Sequence, residues 1–137
     1  MTQPTEPTGT NLHRVLIVDD NHDVAESLQL LLELAGYSVK SVHSGPDALA
    51  TGAAWHPMFI LLDVGMPIMS GYETATRART EAWGRAATII ALTGWGQADD
   101  IRQAIAAGFD HHFTKPVDLD ALQALMKSEA NPSADCS

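Results

Sequence analysis

The chain has 137 residues, a length that suits one domain built around a single hydrophobic core. Its formal net charge is −9 and its eight Lys and Arg residues form no cluster, so direct binding of DNA or RNA is not expected. The single cysteine, Cys136, cannot form an internal disulfide, which is typical of a reducing cytoplasm. No signal peptide and no membrane insertion are predicted, because no apolar run has the required length.

Short apolar segments predict five β-strands, at 14–18, 38–42, 59–62, 86–92 and 110–114. The third of these is apolar throughout, which is typical of a strand whose two faces are both buried. The domain is predicted to span 13–127. Residues 1–12, rich in Thr, Pro and Gly, are expected to form a disordered tail, and residues 128–137 a second tail.

Residues that begin or end helices separate the strands and predict five helices. The expected N-caps are Asn21, Ser44, Ser70 and Asp118, and the expected C-terminal stops are Gly36 and Gly108. The third helix is expected to run towards Trp83. The first helix is expected to bury an apolar stripe made of Val24, Leu28, Leu31 and Ala35. The fourth helix is expected to place Ile101 and Ile105 in the core. Alternating strands and helices predict an α/β fold, a doubly wound parallel sheet in one domain.

Polar residues of complementary chemistry follow four strands: Asp19 and Asp20, then Asp63, then Thr93, then Lys115. The carboxyl ends of parallel strands share one edge, where ligands bind, so we expect these side chains to lie close together. Three close acids repel one another unless a cation neutralises them, and Mg²⁺ (or Mn²⁺) prefers such oxygen ligands. Asp63 would then attack a phosphoryl group whose oxygens are bound by Thr93 and Lys115. Each residue alone also has an ordinary explanation as a helix start, turn residue or surface charge.

Four motifs resemble the receiver domain of two-component response regulators: Asp19-Asp20, the run from Asp63 to Gly71, Ala91-Leu92-Thr93-Gly94, and Phe113-Thr114-Lys115-Pro116. The resemblance extends from Leu12 to Lys127. The last two motifs and the stretch between them are most similar to receivers of hybrid sensor histidine kinases, or to stand-alone receivers. The resemblance implies a flavodoxin-like, five-stranded sheet of order 2-1-3-4-5 with five helices, in a cytoplasmic signalling protein.

The resemblance also implies a phosphorelay. Asp63 would accept a phosphoryl group from a phosphohistidine, carried by a histidine kinase or a His-containing phosphotransfer protein. The implied Mg²⁺ ligands are Asp19, Asp20, Asp63 and the backbone carbonyl of Gly65. The domain would catalyse only its own phosphorylation and dephosphorylation, and is therefore not predicted to be an enzyme in the usual sense.

The implied switch involves two further residues. Thr93 would move towards the phosphoryl group, and Lys115 would pair with it, aimed inward by a cis Lys115–Pro116 bond. These movements would change the face made by the fourth helix, the fifth strand and the last helix. Few residues remain after the last helix, so we expect the output to lie in a partner protein, an attached kinase or onward phosphotransfer.

Four positions make the site of this chain distinctive. His112 stands where receivers often carry Tyr or Phe, three residues before the lysine. It is either a rotating, pH-sensitive side chain or, as we favour, a partly exposed strand residue. Gly94 leaves room for the imidazole of a donor. Trp95 flanks the expected phosphoryl group and should report phosphorylation through its fluorescence, whereas Gly65 offers no side chain to position water.

Three other functions fit these residues less well. A phosphatase of the haloacid dehalogenase type needs a second acid where this chain has Gly65. A flavin- or nucleotide-binding module needs a Gly-rich or Ser/Thr-rich loop where this chain has Asp19 and Asp20. A receiver-like interaction domain that is never phosphorylated would lack one of the site residues, yet all of them are present. The phosphoacceptor switch is therefore the favoured hypothesis.

Overall fold

The computed structural model describes residues 13–66, 69–94, 98–115 and 117–130, and the side chains of 98–101 and 130 are not described. The predictions for Trp95, Pro116, the side chain of Ile101 and the segments 1–12 and 131–137 lie outside the described residues.

Five strands form a single parallel sheet. They are β1 (Arg14–Val18), β2 (Ser38–Val42), β3 (Phe59–Asp63), β4 (Thr88–Thr93) and β5 (His111–Thr114). Their order is β2-β1-β3-β4-β5, so the predicted α/β class and the predicted strand order are both confirmed. All residues of the central strand β3 are buried, in agreement with its continuous apolar sequence.

The described residues form six helices: α1 (His22–Leu34), α2 (Gly45–Trp55), α3 (Gly71–Ala78), α4 (Ala82–Ala86), α5 (Ala98–Ala107) and α6 (Leu119–Ala130). Five helices were predicted, and the short helix α4 is the additional one. Residues 128–130, placed in the tail by the sequence, extend α6. In the described part of the chain, no helix is both long enough and apolar enough to cross a membrane.

The third helix ends earlier than predicted because the chain turns after Ala78. The guanidinium of Arg79 donates to the carbonyl oxygens of Gly84, Ala87 and Gly108, at 2.6 to 2.9 Å. These bonds satisfy carbonyls that follow the turn, in and after α4, and the distant carbonyl of Gly108. A side chain at Gly84 would collide with the Ala78 carbonyl, so glycine permits the close approach of the two helices.

The four predicted N-caps and the two predicted glycine stops are confirmed by their contacts and backbone angles. Each expected N-cap accepts a backbone N–H from its first turn at 3.2 Å: Asn21, Ser44, Ser70 and Asp118. The two expected stops have positive φ, 103° at Gly36 and 102° at Gly108, a conformation that glycine adopts at little cost.

Two apolar cores lie on opposite faces of the sheet. Residues of α2, α3 and α5 cover one face, and residues of α1 and α6 cover the other. Helix α1 buries Ala25, Leu28 and Leu32, whereas Val24 and Leu31 are 39% and 45% exposed, so the predicted stripe was partly wrong. This leucine-rich helix has two adjacent apolar stripes, and only packing decides which one meets the sheet. Ile105 is 69% exposed, so its predicted place in the core was also wrong.

Candidate functional site

The candidate residues lie at the carboxyl edge of the sheet. Asp19 follows β1, Asp63 ends β3, Thr93 ends β4 and Lys115 follows β5. Backbone bonds join these strand ends, since the Val64 N–H donates to the Leu92 carbonyl at 3.2 Å and the Lys115 N–H to the Thr93 carbonyl at 2.7 Å. The neighbouring strand ends are therefore held beside one another, as expected for a parallel sheet.

Three carboxylates meet at this edge. One carboxylate oxygen from each of Asp19, Asp20 and Asp63 lies within 4.8 Å of the other two. Among the described residues, this is the group of side chains that could hold a metal ion. Asp19 and Asp63 are buried, with 1% and 7% of their surface exposed, whereas Asp20 faces solvent. The cluster thus has two buried oxygen donors and an accessible side.

Backbone amides orient the two buried carboxylates. The Asn21 N–H donates to Asp19 Oδ1, and the Gly65 N–H donates to Asp63 Oδ1, both at 3.0 Å. Each bond lies within the loop that follows the strand, so the direction of each carboxylate depends on the local backbone. Gly65 is exposed and open, because the contact nearest to a Cβ built there would be Asp63 Oδ1 at 3.6 Å.

Lys115 brings a positive charge to the acids. Its Nζ donates to Asp19 Oδ2 at 2.9 Å and lies 3.4 Å from Asp63 Oδ1. Burial acts to lower the pKa of Lys115. The hydrogen bond to Asp19 and the charges of both acids outweigh that effect, so the pKa lies above its ordinary value. The ammonium is therefore firmly charged at neutral pH and partly neutralises the cluster.

The Asp63 carboxyl group has a pKa above its ordinary value. Burial is the main cause, and repulsion from Asp19 adds to it. The Gly65 N–H and the Lys115 ammonium act in the opposite direction without cancelling the effect. The site thus has less positive charge than its buried acids require, which suits a divalent cation with hard oxygen ligands such as Mg²⁺.

Thr93, Gly94 and His112 are the remaining predicted site residues that the structure describes. Thr93 is buried, with 3% of its surface exposed, and its Oγ1 is 3.4 Å from the carbonyl oxygen of Phe113. Gly94 is exposed, and a Cβ built there would have no neighbour within 4 Å. His112 is exposed and, together with Ile105, lines a groove of about 160 Å³ beside β5. The groove that His112 lines contains none of the three site carboxylates, so His112 lies apart from them.

The sequence interpretation missed His43. Its Nδ1 lies 3.0 Å from the backbone carbonyl oxygen of Asp19, and its ring stacks on His22 with the centroids 3.6 Å apart. His43 directly follows β2, so examining the residue after every strand would have found it. It contacts the backbone of an acid in the cluster and supports the start of the first loop.

Comparison with known proteins agrees with this geometry. A family model described as the response regulator receiver domain matches residues 15–127. The chain belongs to this family. It is 34% identical to the transcriptional regulatory protein PrrA of Mycobacterium leprae over 121 residues, which cover 88% of this chain and 51% of PrrA. The chain therefore spans about half the length of that relative.

Two solved structures are similar over nearly their whole length. A putative response regulator from Chloroflexus aurantiacus has a TM-score of 0.80 and 32% identity, covering 85% of this chain and 96% of that one. Chemotaxis protein CheY4 of Vibrio cholerae also has a TM-score of 0.80, with 27% identity, covering 85% of this chain and 97% of that one. The predicted family and fold, a flavodoxin-like receiver domain of two-component signalling, are thereby confirmed, and the predicted signalling role is consistent with them.

Proposed function

We propose that Asp63 is the phosphoryl acceptor of this receiver domain. The observation that carries the proposal is the buried Asp63 carboxylate, which lies within reach of two further acids and of the Lys115 ammonium. Asp63 ends the central strand β3, where it pairs with Leu92 of β4, and the preceding Leu62 pairs with Val18 of β1. The acceptor is thus rigidly held, while the exposed side of Asp20 leaves a path from solvent.

The proposed reaction is a nucleophilic displacement at phosphorus. A carboxylate oxygen of Asp63 forms a bond to the phosphorus of a phosphohistidine. The bond from phosphorus to the imidazole nitrogen breaks, and its electron pair returns to that nitrogen. The product is an aspartyl phosphate, whose hydrolysis by water regenerates the carboxylate. The domain's own catalysis is limited to these two steps.

The residues around Asp63 fit the metal that this family implies. Asp19, Asp20, Asp63 and the Gly65 carbonyl would hold Mg²⁺ (or Mn²⁺), which would neutralise charge on the acids and the phosphoryl oxygens. Hard oxygen donors dominate this set, and two of its carboxylates are buried beside a single lysine. That chemistry favours a hard divalent cation over zinc or copper.

Lys115 and Thr93 would respond to the new charge. A phosphoryl group adds roughly −1.5 to −2 charge at neutral pH. Lys115, bound to Asp19 before the reaction, would turn to the phosphoryl oxygens, and the Thr93 hydroxyl would leave the long contact with Phe113. Because the Lys115 amide is bonded to the Thr93 carbonyl, these two movements would be linked.

A surface beside the site suits a protein donor, which we propose to be a histidine kinase or a His-containing phosphotransfer protein. A groove of about 520 Å³ is bordered by apolar residues of α1 and of the sheet edge, and it reaches Lys115. Its apolar lining includes Val24, Leu28, Leu31 and Leu92. Exposed apolar surface of this kind favours contact with another protein. A donor that rests here would bring its imidazole close to Asp63.

We propose that the output surface is the face formed by α5, β5 and α6. Ile105 on α5 is 69% exposed and borders the groove that contains His112. This apolar surface and the overall charge of −9 both favour a protein partner over direct contact with nucleic acid.

Phosphorylation of the intact protein tests the proposal. The wild type is incubated with Mg²⁺ and acetyl phosphate, then with phosphoramidate as a second small donor, and intact mass is measured. One added phosphate is expected on the wild type and none on Asp63→Asn. Asp47→Asn, which changes an exposed acid in the first turn of α2, is the matched control and should react like the wild type. A variant Asp63→Asn that still gains phosphate would refute the assignment.

A further inference from the structure

The first turn of α3 packs directly on the peptide that follows Asp63. Gly71 begins this helix and is buried, and its N–H donates to the Val64 carbonyl at 3.3 Å. A Cβ built at Gly71 would lie 2.4 Å from the Asp63 carbonyl oxygen and 2.6 Å from Val64 Cα. The positive-φ glycines of the described chain are Gly36 and Gly108, so close approach, rather than backbone conformation, requires glycine at position 71.

The turn that contains Gly71 is also held from its other side. Thr74 is 2% exposed, and its Oγ1 donates to the Ser70 carbonyl at 2.9 Å. At the start of α2, a Cβ built on Gly45 would lie 2.5 Å from Thr74 Oγ1 and 2.6 Å from Met69 Sδ. The beginning of α2 therefore packs against this turn. Because both sides are closely packed, a side chain at position 71 would displace backbone on one of them.

The backbone under Gly71 orients the acceptor. The Asp63–Val64 peptide leads directly to Gly65, whose N–H donates to Asp63 Oδ1 at 3.0 Å. The Val64 N–H is bonded to the neighbouring strand at the Leu92 carbonyl. A displaced Asp63–Val64 peptide would move the carboxylate and the Gly65 carbonyl together, while Asp19 remains on β1.

We propose that Gly71 is a positioning residue for phosphoryl transfer. By lacking a side chain, it lets α3 pack on the Asp63–Val64 peptide and holds the acceptor carboxylate and the Gly65 carbonyl in place relative to Asp19. The inference rests on the function proposed above, and it adds a residue that touches neither the phosphoryl group nor the metal. It also explains why a small residue follows the N-cap Ser70 in this helix.

The displacement caused by Gly71→Ala can be worked from the structure. The 2.4 Å contact must lengthen by about 0.6 Å to reach the 3.0 Å lower limit of real Cβ contacts, and both nearest atoms belong to the backbone. A misplacement of about 1 Å at reacting groups can cost on the order of a hundredfold in rate. We therefore expect about a tenfold lower phosphorylation rate, and a clearly higher Mg²⁺ concentration for half-maximal rate.

Gly84→Ala is the matched control for Gly71→Ala. A Cβ at Gly84 would collide even more closely with a backbone carbonyl, that of Ala78, but it does so at the opposite end of α3. This control should lower the melting temperature and leave the phosphorylation rate and its Mg²⁺ dependence within about twofold of the wild type. Rates are measured by intact mass with acetyl phosphate, well below the melting temperature of each variant, with folding checked by circular dichroism.

Thr74→Val is a second variant that disturbs the same turn without adding a non-hydrogen atom. It removes the bond to the Ser70 carbonyl, and we expect about a threefold lower phosphorylation rate with a folded protein. If Gly71→Ala does not fold, Thr74→Val decides the question.

The outcomes separate this inference from the proposed function. A wild type that gains no phosphate from either small donor refutes the proposed function, and the inference with it. If the wild type reacts and both Gly71→Ala and Thr74→Val react within twofold of it, the positioning role is refuted while the proposed function stands. A loss of rate in Gly84→Ala equal to that in Gly71→Ala would also refute the positioning role, because general destabilisation would then explain both.

Discussion

Replacement of Lys115 by alanine tests the electrostatics of the site. Asp19 is 1% exposed and its Oδ2 accepts from the Lys115 ammonium at 2.9 Å, so the variant leaves a buried carboxylate without that cation. Breaking a fully buried ion pair costs about 3–5 kcal/mol. The Lys115 side chain is 28% exposed, and solvent screening reduces the effect. We expect the free energy of unfolding to fall by about 2 kcal/mol, or roughly 8 °C in Tm.

Mg²⁺ should reverse much of this loss. In the wild type, a metal ion has to compete with the Lys115 ammonium for Asp19 and Asp63, whereas in Lys115→Ala it replaces the missing charge. Thermal and urea unfolding are measured with chelator and with Mg²⁺, with Lys127→Ala as a control on the exposed surface of α6. The reasoning is refuted if Lys115→Ala is within about 0.5 kcal/mol of wild type without metal, the range of ordinary surface substitutions. It is also refuted if Mg²⁺ stabilises the variant no more than the wild type.

Three further outcomes follow from the same contacts. Because burial raises the pKa of Asp63, ionisation of this group disfavours the folded state as pH rises above 3.8. Asp63→Asn should therefore be about 1 kcal/mol more stable than the wild type at neutral pH, as measured by urea unfolding in the presence of a chelator. The raised pKa of Lys115 stabilises the fold at neutral pH, and this contribution should disappear above pH 10.5, in a stability profile that flattens in Lys115→Ala. Arg79→Ala should lower the free energy of unfolding by about 3 kcal/mol, because the Arg79 guanidinium donates to several carbonyls and to the Asp110 carboxylate. Arg79→Lys should recover only a small part of this stability. Equal stability of Arg79→Ala and the wild type in urea would contradict the expectation.

Local signals in the sequence accounted for most of the elements. The N-caps Asn21, Ser44 and Ser70 and the stop Gly36 each act within a few residues, so their positions could be read without knowing the fold. The short helix α4 could not, because it depends on Arg79 meeting the distant carbonyl of Gly108. Long-range bonds of this kind leave no periodic pattern in the sequence.

Burial was the property most often misjudged. Val24 and Leu31 follow a helical period as well as the buried Leu28 and Leu32 do, and the sequence alone does not distinguish the two stripes. Ile105 looked like a core residue for the same reason and is exposed on α5. The rotation of a helix about its axis is set by the neighbouring elements, and these are absent from a one-dimensional pattern.

The sequence by itself determined a parallel sheet and the acids, the hydroxyl and the lysine at its strand ends, because parallel strands bring their carboxyl ends to one edge. The strand order followed from the resemblance to receiver domains. Only the tertiary structure decided how these groups are paired. It placed the Lys115 ammonium 2.9 Å from Asp19 and 3.4 Å from Asp63, set His43 against the Asp19 carbonyl, and packed Gly71 on the peptide after Asp63. These contacts join residues that are far apart in the chain or separated by a loop. Their geometry depends on side-chain and backbone packing that is precise to a few tenths of an ångström, and no residue pattern encodes it.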